Sequence, residues 1–178
     1  MARLRATLAG GVVILAASAI ISACGPKPNF SGVWLLDTQK SEYGAVQPPD
    51  SNTLTIIHDE LSLRVLSVQK TRQVETSKEI TFTANGAKTQ NRVHTADGDR
   101  EVTAFSRWDG QQFTTTYQVP HGGHFDECRD LWNLSNEGKV LTIRRSVTMP
   151  DIRLIDHRYS ISMVFSKGRV GLALSRAE

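Results

Sequence analysis

Past its first two dozen residues the chain predicts an all-β protein, an antiparallel up-and-down barrel of roughly eight to ten strands. Three observations carry this. No segment after residue 23 shows a helical period. Runs rich in Val, Ile, Leu, Thr and aromatic residues alternate in polarity, most cleanly over Gln112–Val119, where Phe113, Thr115, Tyr117 and Val119 share one face. Between the runs stand turn dipeptides at near-regular spacing: Asn85-Gly86, Asp97-Gly98 and Asp109-Gly110. Asn, Asp and Gly tolerate the positive φ that tight hairpins require. An open meander of this many strands would leave two long edges, and closure into a barrel removes them. A barrel wall also supplies the dry and wet sides that the alternation demands.

The elements follow in order. Residues 29–37 begin the first ordered strand. Residues 38–52 carry Gly44, Pro48, Pro49 and Asp50 and read as a loop crossing one end of the fold. Thr53–His58 and Leu61–Gln69 form a hairpin about Asp59-Glu60, and Val74–Ala84 follows. Lys88–Thr95 is a polar strand, Arg100–Trp108 the next, then Gln112–Val119. Pro120-His121-Gly122-Gly123 reads as a loop before the strand Phe125–Leu134. Asn136-Glu137-Gly138 turns into Lys139–Thr148, and Met149-Pro150-Asp151 into Arg153–Phe165, expected to be the longest strand. In that last strand Ile155, His157, Tyr159, Ile161, Met163 and Phe165 share a face. Their bulk turns that face inward, because the opposite face carries Asp156 and Arg158, which are rarely buried unpaired.

The N-terminus is of another kind. Arg3 and Arg5 precede an apolar run from Leu8 to Ile21, short of the ~20 residues that span a bilayer. Charged start, short apolar core and small residues before a cleavage point describe a secretory signal. Ile21-Ser22-Ala23-Cys24 resembles the lipobox of bacterial lipoproteins. That resemblance implies a diacylglyceryl thioether on Cys24, cleavage before it, and acylation (palmitate or a similar chain) of the new amino terminus. Gly25, in place of an aspartate, implies sorting to the outer membrane, with the domain in the periplasm. The expected organisation is a signal over 1–23, lipidated cysteine and linker over 24–28, a barrel over 29–166 and a tail over 167–178.

Composition narrows the function. Without residues 1–23, 155 residues remain, one domain with a real core. The net charge of +3 falls to +1 once Arg3 and Arg5 are set aside. Lys and Arg are dispersed among Asp and Glu, so nucleic acid is not an expected partner. With Cys24 carrying lipid, Cys128 has no partner for a disulfide and reads as a small buried hydrophobe.

Gly32-Val33-Trp34 in the first strand is similar to the Gly-x-Trp signature of lipocalins and related calycins. The wider stretch Asn29–Asp37 looks like the opening of lipocalin-like bacterial proteins, as do the turns Trp108-Asp109-Gly110 and Asn136–Lys139. The resemblance implies that Gly32 and Trp34 close one end of the barrel, with a basic side chain of the last strand, Arg153 or Arg158, over the indole.

Chemistry is sparse. His121, His124, Asp126 and Cys128 form the one dense group of metal-ligand types, but their spacing fits no standard zinc motif, and the stretch reads equally as a polar surface loop. No metal site, haem or other cofactor is expected. Asp126 and Glu127 are adjacent on a strand and point to opposite faces, so they cannot act as a carboxylate pair. No nucleophile elbow, phosphate loop or metal-binding helix motif occurs. The chain is therefore expected not to be an enzyme. Tyr117, His157 and Tyr159 are the polar members of otherwise apolar faces. If the barrel is hollow, they line a site for a small apolar or amphipathic ligand. If it is filled, the domain is an interaction module that meets an envelope protein through a loop such as Pro48–Ser51 or His121–His124.

Overall fold

The computed structural model describes residues 26–95, 98–121, 124–135, 137–149 and 157–168. The signal, Cys24, the segment 151–156 (with Arg153 and Ile155) and the tail past Gly168 lie outside the described residues. Ten strands follow one another: β1 (Gly32–Leu36), β2 (Ser51–His58), β3 (Ser62–Thr71), β4 (Val74–Thr83), β5 (Thr89–Thr95), β6 (Gly98–Asp109), β7 (Gln112–His121), β8 (His124–Ser135), β9 (Val140–Met149) and β10 (His157–Lys167). Among the described residues none is helical.

The strands form one antiparallel sheet in the order β4-β3-β2-β1-β10-β9-β8-β7-β6-β5. First and last strands pair in the middle of the sheet, Trp34 opposite Lys167 and Leu36 opposite Phe165, and the edge strands β4 and β5 meet, so the sheet coils back on itself. The seam lies between β4 and β5. There Asn91 stands in for a strand's backbone: its carboxamide accepts from Thr81 N at 2.8 Å and donates to Thr81 O at 3.1 Å. Thr89 Oγ1 also donates to Thr81 O, at 2.7 Å. The barrel is nearly closed, stitched at its lower seam by side chains.

The turn chemistry is realised where it was expected. Gly86, Gly98 and Gly110 all have positive φ, at 84°, 104° and 60°. The β7–β8 connection is tighter than the sequence suggests: pairing continues to His121 opposite His124, so the expected four-residue loop is a hairpin tip. β10 continues past Phe165 to Lys167, and Gly168 N donates to Val33 O at 2.8 Å. The long β1–β2 loop runs on beside β10. Glu42 bridges Ser162, Tyr43 packs against the core and Pro49 is buried.

Candidate functional site

One end of the barrel is plugged by rings. Phe30, fully buried, lies 5.6 to 6.0 Å from His58, Trp108, Phe113 and Trp132, centroid to centroid. Such offset and edge-on arrangements add to the burial of large apolar surfaces. Trp34 is fully buried, and its Nε1 donates to Phe30 O at 2.9 Å, which satisfies the indole. Gly32 has φ +142°, and a Cβ there would meet Lys167 Cε at 3.1 Å. The positive φ favours glycine at this position, and the lysine stem crosses it closely to place Nζ 5.4 Å from the Trp34 ring centre.

This corrects the expected partner of Trp34. The cation over the indole is Lys167, in place of Arg158. Trp34 stands opposite Lys167 in the ladder, whereas Arg158 stands opposite Thr148, at the other end of β10. Arg153 lies outside the described residues.

Above the plug the barrel is hollow. A cavity of about 300 Å³ has Leu54, Ile80, Phe82, Ile143 and Phe165 among its walls. That volume sits at the lower end of small-molecule sites. It opens away from the plug, past His94 at the mouth.

At mid-height the apolar wall is interrupted. β8 turns Asp126, Cys128, Asp130 and Trp132 inward, and β9 turns in Leu141, Ile143, Arg145 and Val147. Asp130 and Arg145 face each other across the ladder. Arg145 Nε and Nη2 donate to the two oxygens of Asp130, each at 2.8 Å. Tyr117 donates to Asp130 Oδ2 at 3.4 Å. Lys78, from β4, sets Nζ 5.1 Å from the Tyr117 ring centre, and the Arg145 guanidinium lies 5.6 Å from it.

The electrostatics of these groups are set by their burial. Burial works against the Arg145 charge, but the Asp130 carboxylate outweighs it and holds the guanidinium firmly protonated. Burial pushes the Tyr117 phenol up, so it is neutral, and pushes the Cys128 thiol up, so it is not a thiolate at neutral pH. Burial, with Arg145 adding repulsion, lowers the Lys78 ammonium to about 8. Lys78 is partly open to the cavity mouth, so its burial is that of a stem and head among packed neighbours rather than sealing from solvent.

The three expected ligand-binding residues fare differently. Tyr117 is buried and lines the cavity. Tyr159 is half-buried against the core without lining the cavity, and burial raises its phenol pKa. His157 opens β10 opposite Met149, and its side chain lies outside the described residues. Lys78, Asp130 and Arg145 were not expected. Arg145 had a signal, as the one charge in the period-two series Leu141, Ile143, Arg145, Val147. Asp130 had the same signal between Cys128 and Trp132. Lys78 had none, since Glu75 to Glu79 reads as polar throughout. Asp126 and Cys128 do share the inward face of β8. Among the described residues no group of three or more His, Cys, Asp or Glu is placed to hold a metal ion.

Comparison with known proteins gives no family: no family model matches the chain, and no curated protein matches it significantly. Solved structures with a similar course of the chain include secretory abundant heat soluble protein 4 from Ramazzottius varieornatus. It is 13% identical with a TM-score of 0.49, over 79% of this chain and 95% of that one. Another is a mutant of the fluorescent protein UnaG, 16% identical with a TM-score of 0.47, over 78% of this chain and 96% of that one. The chain is an antiparallel β-barrel with a plugged end, an open end and a partly polar cavity between them.

Proposed function

We propose that the chain is a lipid-anchored, non-catalytic binding protein of the cell envelope that holds a small amphipathic molecule in its barrel. The observation that supports this is the cavity: about 300 Å³, apolar below and polar at the level of Lys78, Tyr117, Asp130 and Arg145. An apolar body with a few convergent polar groups is the usual make-up of a small-ligand site. A filled barrel, as the interaction-module reading requires, would leave no such space.

Anchoring through Cys24, on the outer membrane and facing the periplasm, belongs to the same reading. Its support is the Ile21–Cys24 motif. The chain enters the barrel at the plugged end, through Phe30. The residues from Cys24 to Phe30 span at most about 20 Å when extended. The anchor would therefore hold the plug toward the bilayer and turn the open end away from it. Contact with an envelope protein is a second reading, supported by Val74 and Phe125, apolar and exposed at the open end.

The test is a fluorescence titration of the full chain with Nile red, a neutral apolar dye, beside the variant Ser67→Trp. Ser67 lines the cavity, and an indole there would intrude on the ligand's space. Saturable one-to-one binding that Ser67→Trp abolishes, with the far-UV spectrum unchanged, supports the reading. Equal binding by both chains overturns it.

A further inference from the structure

We propose that the cavity selects a ligand with a single anionic head group, held at Lys78 Nζ with its apolar tail directed toward the plug. This rests on the reading of the barrel as a ligand chamber and names the chemistry of its ligand.

The charged or chargeable side chains that line the cavity beside Tyr117 are Lys78, His94, Asp130 and Arg145. Asp130 and Arg145 satisfy each other through two hydrogen bonds and cancel. Tyr117 is neutral and spends its hydroxyl on Asp130. His94, at the mouth, is paired with Asp99 at 2.8 Å. Lys78 remains. Among the described residues no carboxylate forms an ion pair with it, and its near neighbours are the Tyr117 ring and, across that ring, the Arg145–Asp130 pair, whose carboxylate only partly offsets the arginine. A cavity wall with one uncancelled positive charge is costly when empty. An anion relieves both the burial of the ammonium and its repulsion by Arg145. A neutral head relieves neither, and a cationic head would bring a second uncancelled positive charge beside Lys78.

The position of Lys78 gives the ligand a direction. On β4 the inward residues run Lys78, Ile80, Phe82 from the open end toward the plug. A head at Lys78 therefore leaves its tail among Ile80, Phe82, Leu54 and Phe165. The space holds about ten waters at ~30 Å³ each, which suits a carboxylate, sulfonate or phosphate monoester on a chain of similar heavy-atom count. The arginine is not the anion receptor here, because its two-pronged donor face is already occupied by Asp130.

The test compares three probes of one shape, decanoate, decan-1-ol and decylamine, by calorimetric titration of the full chain at pH 7 below their aggregation limits. Decanoate should bind at least about tenfold more tightly than the alcohol, the scale of one charge-assisted bond, with the amine weakest. Lys78→Gln should weaken decanoate binding by at least about tenfold and erase the difference between acid and alcohol. Lys78→Arg, which keeps the charge, should retain the preference. Binding of all three probes with equal affinity, or tightest binding of the amine, overturns the anionic head and leaves the ligand chamber standing. Failure of all three to bind overturns both.

Discussion

Asp130 and Arg145 face each other across β8 and β9 and join through two hydrogen bonds of 2.8 Å, one to each carboxylate oxygen. Asp130 is almost wholly buried, and Arg145 is one quarter exposed, with side-chain exposures of 2% and 26%. The pair is a neutral rung set into the cavity wall, and it decides which other charges there stay uncancelled. Removing one partner should be worse than removing both. Asp130→Asn leaves the guanidinium buried without its counter-ion and should cost about 3–5 kcal/mol in urea unfolding. Asp130→Asn combined with Arg145→Met should recover most of that loss. A double variant as unstable as the single would show that the pair itself supplies the stability.

The plug should behave as a core. Trp34→Ala removes a fully buried indole together with its bond to Phe30 O, and should destabilise by about 3–5 kcal/mol. Lys167→Met, which keeps the stem over Gly32 and loses the cation, should cost less than about 1 kcal/mol, because an exposed cation over a ring contributes little. A loss under 1 kcal/mol for Trp34→Ala would remove the indole from its role in closing the barrel.

Lys78 makes stability depend on pH with a definite sign. Its folded pKa of about 8 lies below the unfolded value near 10.5, by burial first and by Arg145 second, with Asp130 and Cys128 opposing. Between those values the unfolded chain binds more protons, so this group's contribution to stability rises with pH through the window from about 8 to 10.5. Below pH 8 the folded state carries the full cost of the buried charge. Lys78→Met should therefore stabilise the empty protein at pH 7 by about 2 kcal/mol, with the gain shrinking toward pH 10.5. Equal gains at pH 7 and pH 10.5, by urea denaturation, would contradict this origin.

These charges mark where the sequence stops being sufficient. Ten strands and their turns are legible because period-two alternation and Asn-Gly or Asp-Gly pairs are local signals. The inward face of β7, with Phe113, Thr115 and Tyr117 buried, is legible for the same reason. Register around the barrel is not local. It places Lys167, rather than Arg158, beside Trp34, because β1 pairs with the far end of β10. Lys78 is hidden for a related reason. It belongs to the edge strand β4, whose exposed upper half is polar on both faces. Only the coiling of the sheet brings it within 5.1 Å of the Tyr117 ring, a partner three strands on in sequence.

The anchor makes its own prediction. Both thioether formation and processing need the Cys24 thiol, so Cys24→Ser should abolish metabolic acyl labelling and move the chain out of the membrane fraction. A variant that is still labelled and processed would remove the lipid from the account.

Native mass spectrometry of the full chain, isolated from the cells that make it, asks directly whether the barrel carries a small molecule. One adduct per chain is expected, lost on collisional activation and reduced or absent in Ser67→Trp, whose indole intrudes on the cavity. A bare chain mass in the unaltered protein, unchanged after exposure to envelope lipid extract, would contradict it.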